Sequence, residues 1–350
     1  MSGVLSAPAM TARRDTMVRL APGIVLSAVV AVAAVLISPY MPRALPLPAM
    51  VLALLIGMAL HPVASRPNCK PGMTFSVKVL LRWAVALLGL RVALGDIVAL
   101  GPATAGLIML AMLVTLVGTV GLSRLFKLSD TYGVLAGVAT AVCGASATLA
   151  TSTVVPDYKN KDADIAFVVV GVNLLATVSM LLYPPLCHWL GFDDRATGAM
   201  LGGTIHDVAQ VVGAGYAVSD GVGNSAVIVK LFRVFLLLPV VLSIGWYFTR
   251  SGARHGAAKV PVPMFALVFL VLCILNSMLT PMHGLAPVYG PVKWMLTWLS
   301  TAGLILAIAA LGLGTSFGTL LSLGWRHIAT LVSSTILILI VVTVGLAVIG

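Results

Sequence analysis

Long apolar runs recur along almost the whole chain, and they limit what it can fold into. Several runs hold 18 or more mostly apolar residues, enough for one helix to cross the ~30 Å hydrocarbon core of a bilayer. Of the 350 residues, 60% are hydrophobic and only 9% are charged, so little polar sequence separates the runs. A soluble α/β protein would carry more charge between its apolar segments. The pattern therefore predicts an all-α polytopic membrane protein.

Eleven apolar segments predict about eleven transmembrane helices. The first segment, Ala21–Ser38, follows a basic N-terminus without a clean small-x-small cleavage site after it, so we expect it to be retained as a helix. The other ten lie at about 46–62, 76–100, 103–124, 131–155, 164–190, 196–218, 224–249, 261–279, 294–323 and 327–349.

Lysine and arginine are distributed unevenly between alternate loops. If the N-terminus is cytoplasmic, the cytoplasmic loops hold Arg66, Lys70, Lys78, Arg82, Arg124, Lys127, Arg195, Arg250, Arg254, Lys259 and Arg326. The opposite side then holds Arg43, Lys159, Lys161 and Lys293. This bias satisfies the positive-inside rule and predicts a cytoplasmic N-terminus. It also accounts for the net charge of +11 without a nucleic-acid partner.

The ten segments after the first divide into two sets of five, a common plan for transporters built from inverted repeats. The predicted division is a cytoplasmic N-terminus with the first helix, a first repeat and a second repeat, at 1–45, 46–190 and 191–350. Because five is odd, the two repeats would have opposite orientations. On this division 131–155 falls opposite 294–323, although a rival alignment of 84–101 with 307–324 leaves the register open.

Small residues concentrate within these two opposed segments. One segment holds Cys143, Gly144, Ala145 and Ser146, and the other holds Gly314, Thr315 and Ser316. Such residues allow close packing between helices. They also permit a helix to break, which would free backbone N–H groups and the positive end of a half-helix dipole for an anion. Their symmetric placement favours two broken helices that contribute to a binding site.

The apolar stretch Gly202–Arg233 holds His206, Asp207, Gln210, Lys230 and Arg233. An ionisable side chain at membrane depth costs roughly 2.5–3.5 kcal/mol on insertion scales, so such residues usually face a cavity or a partner. Lys230 and Arg233 are three positions apart and share one helix face. The adjacent histidine and aspartate could carry a proton or compensate one of these cations. We expect the cluster to form part of a binding face.

Arg91 lies in the middle of the predicted helix 76–100. It is too deep to reach the interface easily, so we expect it to face the interior, as a substrate contact or as a partner of Asp96 or Asp207. The sequence has no motif of a metalloprotease, a serine hydrolase or a P-loop enzyme. Its four cysteines lack CxxC spacing and its histidines lack metal-ligand spacing. An enzyme, a cofactor and a metal site are therefore not expected.

Four phrases carry a family resemblance: GVATAVCGASA, IHDVAQVV, KLFRVFLLLPV and GLRVALGDIVALG. In wording and order they resemble the YeiH-like family of bacterial inner-membrane proteins, to which sulfate export is attributed. The resemblance extends from about Ala44 to the C-terminus. The family usually reads IHEVAQV in the second phrase, so Asp207 keeps a carboxylate with a shorter reach. The Gly-Ala-Ser-Ala run at 144–147, the Lys-x-x-Arg pair ending at Arg233 and the arginine at 91 match the family.

The resemblance implies an inverted-repeat carrier that exports sulfate or a related oxyanion across the bacterial inner membrane. In this scheme Arg91, Lys230 and Arg233 form a positive cavity together with the two broken-helix ends. His206 and Asp207 would couple protons or tune the charge of the site. The expected partners are the lipid bilayer, a small inorganic anion and a coupling proton, and a homo-oligomer is compatible with the sequence.

The residues leave two other classes of function open. One is a cation/proton antiporter on a related inverted-repeat scaffold, with Asp207 binding the ion. The other is a membrane sensor that binds an anion without moving it. The first alternative predicts that the carboxylate is essential and the basic residues are not. The second predicts saturable binding without flux.

Overall fold

The computed structural model describes residues 7–41, 48–158, 160–250, 264–282, 286–315 and 324–349. All regular structure in these ranges is helical, and seven helices are long and apolar enough to cross a membrane. The prediction of an all-α polytopic membrane protein is therefore confirmed.

The α-helices are numbered here in chain order. They are α1 (Ala7–Ile37), α2 (Ala49–Ala59), α3 (His61–Ala64), α4 (Lys70–Phe75), α5 (Leu81–Leu87), α6 (Leu94–Ala99), α7 (Gly101–Leu125), α8 (Asp130–Ala141), α9 (Ala145–Ser152), α10 (Lys161–Trp189), α11 (Asp194–Thr204), α12 (Val208–Val218), α13 (Asp220–Phe235), α14 (Leu237–Arg250), α15 (Met264–Leu279), α16 (Ala286–Gly314) and α17 (Trp325–Ile349). Short 3-10 or π segments lie at Ser38–Tyr40, Ser76–Leu80 and Leu88–Leu90.

The first of two compact units comprises residues 1–88 and 284–316. In it, α2 packs closely against α16, and glycines on both helices permit the approach. A Cβ on Gly57 would lie 2.7 Å from the Ala309 carbonyl oxygen. One on Gly312 would lie 2.3 Å from the Leu54 carbonyl oxygen. Any larger residue at either position would push the two helices apart.

The second compact unit comprises residues 89–283 and 317–350. In it, α7 and α17 run antiparallel along their length. At one end Phe126 packs edge-on against Trp325, with ring centroids 6.1 Å apart. At the other end the backbone of Gly345 lies against the Leu107 side chain, within reach of a Cβ. The pair provides a reference against which the shorter helices of the unit can be placed.

The helices α8 and α9 form a hairpin that enters and leaves the unit at one end. α8 begins beside the last turn of α7, where Arg124 binds Asp130 through two hydrogen bonds of 2.7 Å, and we call this the Arg124 end. α10 begins at the same end. His327, at the start of α17, lies against the ring of Tyr132 in α8 (centroids 4.8 Å apart) and 3.3 Å from the carboxylate of Asp164 in α10. The chain between these two helices therefore turns back.

The helices α11 and α12 form a second hairpin, which enters from the opposite end. Arg195, in the first turn of α11, donates to the Leu100 carbonyl at 3.1 Å, just before α7 begins, and we call this the Arg195 end. Ser219, directly after α12, donates to Asp194 at 3.2 Å, so this hairpin also leaves where it entered. α10 joins the two ends, and α13 with α14 crosses back to the Arg124 end.

The sequence predicted full crossings at 131–155 and 196–218, and both predictions are wrong. Each hairpin arm has 8 to 12 residues. Such an arm is about 12–18 Å long, roughly half of a ~30 Å hydrocarbon core. Two charged positions consequently exchange sides. The sequence placed Arg195 on the same side as Arg124 and Lys161 on the opposite side. In the structure Arg195 lies at the end opposite Arg124, and Lys161 lies at the Arg124 end.

Each hairpin is followed by a crossing helix, which gives two matching segments, 130–189 and 194–250. The two segments run in opposite directions through the unit. Both begin with a capped hairpin arm, because Ser129 accepts the Tyr132 N–H at 3.1 Å and Asp193 accepts the Ala196 N–H at 2.7 Å. This is a short inverted repeat inside one packing unit. The predicted division into two five-helix repeats stays a prediction.

Candidate functional site

The tips of the two hairpins touch each other inside the second unit. The first tip is the turn 142–144 and the second tip is the turn 205–207. Gly144 has φ of +60° and ψ of −126°, a conformation that residues with a side chain rarely adopt. A Cβ on Gly144 would lie 3.6 Å from the His206 carbonyl oxygen. The predicted break at Cys143–Ser146 is confirmed, since α8 ends at Ala141 and α9 begins at Ala145.

Lys230 of α13 holds both tips from one side. Its Nζ donates to the carbonyl oxygens of Val142 at 2.7 Å, Ile205 at 2.9 Å and His206 at 2.5 Å. The side chain is completely buried. An ammonium group has three N–H donors, so these carbonyls accept all of them.

Arg233, one helical turn further along α13, is completely buried as well. Its Nε donates to the Ala141 carbonyl at 3.0 Å and its Nη2 to the Thr140 carbonyl at 2.8 Å. On the second hairpin, Nη1 donates to the Gly202 and Ile205 carbonyls at 2.9 and 3.1 Å. The guanidinium thus caps the C-termini of α8 and α11 together.

The two cations act on backbone, which differs from their predicted role as substrate contacts. The last carbonyls of a helix have no partner within it and carry about half a negative charge at its C-terminus. Two such ends meet at the tips, and Lys230 and Arg233 neutralise them. A buried charge is tolerated when its hydrogen bonds are satisfied in this way. Backbone carbonyls accept all three N–H donors of Lys230 and four of the five N–H donors of Arg233. Their predicted contact with a substrate stays a prediction.

The other two half-helix ends at the tips are more accessible. Ala145 and Ser146, at the start of α9, are partly exposed, and so are Asp207 and Val208 at the start of α12. By contrast Cys143 is buried. The first N–H groups of a helix lack intrahelical acceptors and carry a partial positive charge. Both hairpins thus present helix N-termini at one partly open region.

Asp207 and His206 have different surroundings within the second tip. Asp207 accepts the Ala209 N–H at 2.9 Å and so caps the start of α12. His206 is fully buried, and its Nε2 lies 2.9 Å from Thr335 Oγ1. The same hydroxyl lies 2.8 Å from the Leu331 carbonyl oxygen, one turn earlier in α17. This places His206 as an anchor between the second tip and α17.

Gln210 joins the second hairpin to α10. It is buried, and its Nε2 lies 3.3 Å from Asn173 Oδ1 and 3.4 Å from Thr177 Oγ1. The sequence did not single out these two α10 residues. Their spacing of four puts two polar side chains on one face of an apolar helix, a signal that could have found them.

Arg91 lies in a non-helical turn between the 3-10 segment Leu88–Leu90 and α6, so its predicted mid-helix position is wrong. Its Nη1 is 3.4 Å from Asp220 Oδ1, and its guanidinium lies over the Tyr216 ring at 5.8 Å. Asp96 instead accepts the N–H of Ala93 at 2.8 Å, at the start of α6. Arg91 therefore belongs to the Arg195 end of the unit, beside the end of the second hairpin.

The remaining predicted site residues belong to the first compact unit. α16 is continuous from Ala286 to Gly314, and Thr315 follows outside the helix. Ser316 lies outside the described residues. The described part of the second unit has its second interrupted helix at 194–218. The sequence predicted residues 196–218 as an unbroken crossing.

Irregular backbone at membrane depth occurs where it is buried in protein or lines a cavity, and half-helix ends there commonly bind the ligands of secondary transporters. The fold and the site thus define a polytopic membrane protein with two opposed re-entrant hairpins whose tips meet.

Comparison with known proteins gives the family. The chain belongs to the family described as Conserved hypothetical protein 698, whose model matches residues 22–331. The UPF0324 membrane protein TauZ of Paracoccus denitrificans is 39% identical over 333 residues, which are 94% of this chain and 95% of the relative. A UPF0324 membrane protein of Chlorobaculum tepidum is 35% identical over 324 residues, 92% of this chain and 87% of the relative. This is the YeiH-like family that the four sequence phrases resemble.

Proposed function

We propose that the protein is a secondary transporter that exports a small inorganic oxyanion, such as sulfate or sulfite, by alternating access. The observation that carries the proposal is the arrangement of the tips. Two buried cations neutralise the helix C-termini, and the two helix N-termini are left partly open to a ligand. No enzymatic step, cofactor or nucleic-acid partner enters the proposal.

The charge balance of the tips supports an anion as the ligand. The partial charges of the two N-termini and the two C-termini cancel, at about half a unit each. Lys230 and Arg233 together exceed Asp207 by one positive charge. The region is therefore about one charge positive before a ligand binds, which favours an anion over a cation.

The available donors suit an oxyanion. Helix N-termini bind phosphate and sulfate through successive backbone N–H groups. At the start of α9 the Ser146 hydroxyl adds a side-chain donor, and at the start of α12 Val208 contributes the first N–H of its helix. Several donors at fixed positions match the several oxygens of a tetrahedral or pyramidal anion.

Val208→Pro tests this proposal at the level of one backbone donor. Proline is favoured at the first position of a helix and removes only an N–H that has no intrahelical acceptor. Asp207 already has φ of −114° and ψ of 150°, the conformation that a residue before proline prefers. One hydrogen bond to a charged group contributes about 1.5–3 kcal/mol, so we expect anion affinity to fall about tenfold to a hundredfold.

The measurement is uptake of radiolabelled sulfate into proteoliposomes, with sulfite as competitor, with and without a pH gradient. Val208→Ala is the matched control, because it shortens the same side chain and keeps the N–H. Equal sulfate KM values for the two variants would remove the α12 N-terminus from the site. Absence of flux for both anions in correctly inserted wild-type protein would remove the proposed substrates.

The partly exposed carboxylate of Asp207 keeps the cation/proton antiporter as a second candidate. In an antiporter Asp207→Asn should abolish exchange, because the ion loses its charged ligand. In an oxyanion carrier the same change retains the oxygen that accepts the Ala209 N–H, and we expect sulfate flux to persist with an altered pH dependence. Saturable sulfate binding without any flux would instead indicate the anion sensor.

We also propose a bacterial inner-membrane location with the Arg124 end in the cytoplasm. Five described basic residues lie at that end, namely Arg124, Lys127, Lys161, Arg250 and Arg326. Arg91 and Arg195 lie at the Arg195 end of the same unit. The exchange of Arg195 and Lys161 between the sides leaves the positive-inside bias in place. A cytoplasmic N-terminus, proton coupling and a homo-oligomer remain parts of the proposal to be measured.

A further inference from the structure

An apolar groove of about 410 Å³ runs along the outside of the second compact unit. Three helices line it: α7, α8 and α14. Its walls are almost entirely aliphatic or aromatic and include Leu113, Leu116, Val138, Val142, Val240 and Tyr247. Among the lining residues only Ser243 and Tyr247 carry a hydroxyl group. The Ser243 hydroxyl already donates a hydrogen bond to the Pro239 carbonyl at 2.8 Å. The groove therefore offers its occupant apolar surface.

The groove has the length and position of one lipid leaflet. It extends from Leu236, directly before α14, to Phe248 near the end of that helix. Those 12 helical steps cover about 18 Å, against about 15 Å for half of the hydrocarbon core. Its deep end reaches Ala141 and Val142, at the first hairpin tip. Its other end reaches Tyr247 and the Arg124 end of the unit.

Basic residues lie at or just beyond the ends of α7 and α14, the helices that line the outer end of the groove. Arg250 follows the lining residue Phe248 by two positions, and its guanidinium lies 5.3 Å from the Trp246 ring. Arg124 lies within electrostatic range of the Tyr247 phenol, although Asp130 already pairs with it. Lys127 is exposed one turn beyond Arg124. Arg124, Lys127 and Arg250 thus carry three positive charges near this end of the groove, and Asp130 pairs with one of them.

We propose that an anionic phospholipid occupies this groove, with one acyl chain along α14 and its phosphate beside Arg250 and Lys127. The apolar walls match the chain, and the excess of positive charge at the outer end matches the headgroup. The inference does not depend on the transported substrate, because neither of the helix N-termini proposed to bind the anion lines the groove.

The bound chain would support the first hairpin. Val142 lines the deep end of the groove, and its carbonyl oxygen accepts a hydrogen bond from Lys230. An acyl chain in the groove would cover the apolar face of α8 up to the residue where the helix ends. Loss of the lipid should therefore lower the thermal stability of the protein.

Native mass spectrometry of the delipidated protein tests the proposal. The probes are phosphatidylglycerol and phosphatidylcholine with identical acyl chains, and inorganic phosphate alone as the test for headgroup binding without a chain. Ser243→Phe fills the groove at a solvent- or lipid-exposed position, so folding should be retained. Leu242→Phe places the same aromatic side chain one residue away, outside the groove, and is its control. Arg250→Gln and Lys127→Gln test the headgroup, with the exposed Lys78→Gln as the charge control.

We expect one tightly retained phosphatidylglycerol per chain, at least tenfold preferred over phosphatidylcholine, and a higher melting temperature when it is bound. Ser243→Phe should lose it and Leu242→Phe should keep it. Each of the two charge variants should weaken retention about fivefold. Equal retention of both lipids, or retention unchanged by Ser243→Phe, would overturn the proposal. The proposal would also be overturned if the wild-type protein were a dimer and Ser243→Phe made it monomeric, because the groove would then hold a second copy of the chain.

Discussion

Lys230→Met measures how much the hairpin tips depend on one side chain. Methionine keeps most of the length and apolar volume of lysine but has no N–H donor. Three carbonyl oxygens lose a hydrogen bond, those of Val142, Ile205 and His206. The Ile205 oxygen keeps a bond from Arg233. Two buried carbonyls are therefore left without this donor.

The expected loss of stability follows from those two groups. A buried acceptor that loses its partner costs about 1–3 kcal/mol, so the pair costs about 2–6 kcal/mol. Removing the ammonium also removes the cost of holding a charge in a dry interior, which brings the net effect toward the lower part of that range. The helix C-termini at the tips lose one of two neutralising charges at the same time.

The cysteines of the protein provide the assay. Cys143, Cys187 and Cys273 are buried, so a thiol-reactive fluorescent dye reports unfolding in detergent as the protein is heated. We expect the Lys230→Met midpoint to fall by several degrees. Lys78→Met is the control, because it makes the same chemical change at an exposed position and should leave the midpoint nearly unchanged. If the two variants melted together, the carbonyl-capping role of Lys230 would be refuted.

Two further predictions test the tip geometry and the hairpin topology. Gly144→Ala should destabilise the protein by about 1–3 kcal/mol, because alanine is strained at φ of +60° even though its Cβ has room. The control is Gly106→Ala inside α7, which should be neutral or stabilising in the same melting assay. Cysteines introduced by Lys127→Cys and Arg195→Cys should react with a membrane-impermeant thiol reagent from opposite sides of the membrane; labelling from one side would mean that 131–155 crosses the membrane after all.

The sequence was sufficient for the fold class and for the first interrupted helix. Apolar runs of membrane-spanning length leave few alternatives to helices, and a glycine among small residues permits a break. The break at Gly144 followed from that composition. The second break was missed because Ile205, His206 and Asp207 are not helix-breaking residues. Their interruption depends on capping by Asp207 and on the carbonyl contacts from α13, which are tertiary.

Topology was beyond the reach of the apolar pattern. A segment of two half-helices has the same composition whether its second half continues across the membrane or returns. The loop charges did not resolve this question. Arg195 and Lys161 exchange sides, so each side keeps the same number of basic residues and the positive-inside bias is unchanged. The partner of Arg91 was missed for a related reason, since Asp220 is more than a hundred residues away and comes close only because the second hairpin returns to the Arg195 end.

The roles of Lys230 and Arg233 show why an ionisable residue at membrane depth need not contact the ligand. A helix that ends in the middle of a membrane leaves carbonyls without water, and two such ends create a requirement for buried donors. A ligand bound directly by Lys230 would have to displace one of the carbonyls that accept its protons, and four of the five N–H donors of Arg233 are taken in the same way. We therefore expect the proposed anion to bind the N–H groups at the two half-helix N-termini. We therefore predict that Lys230→Met mainly lowers thermal stability, whereas Val208→Pro mainly lowers anion affinity. The two variants thus distinguish residues that stabilise the hairpin tips from groups that bind the ligand.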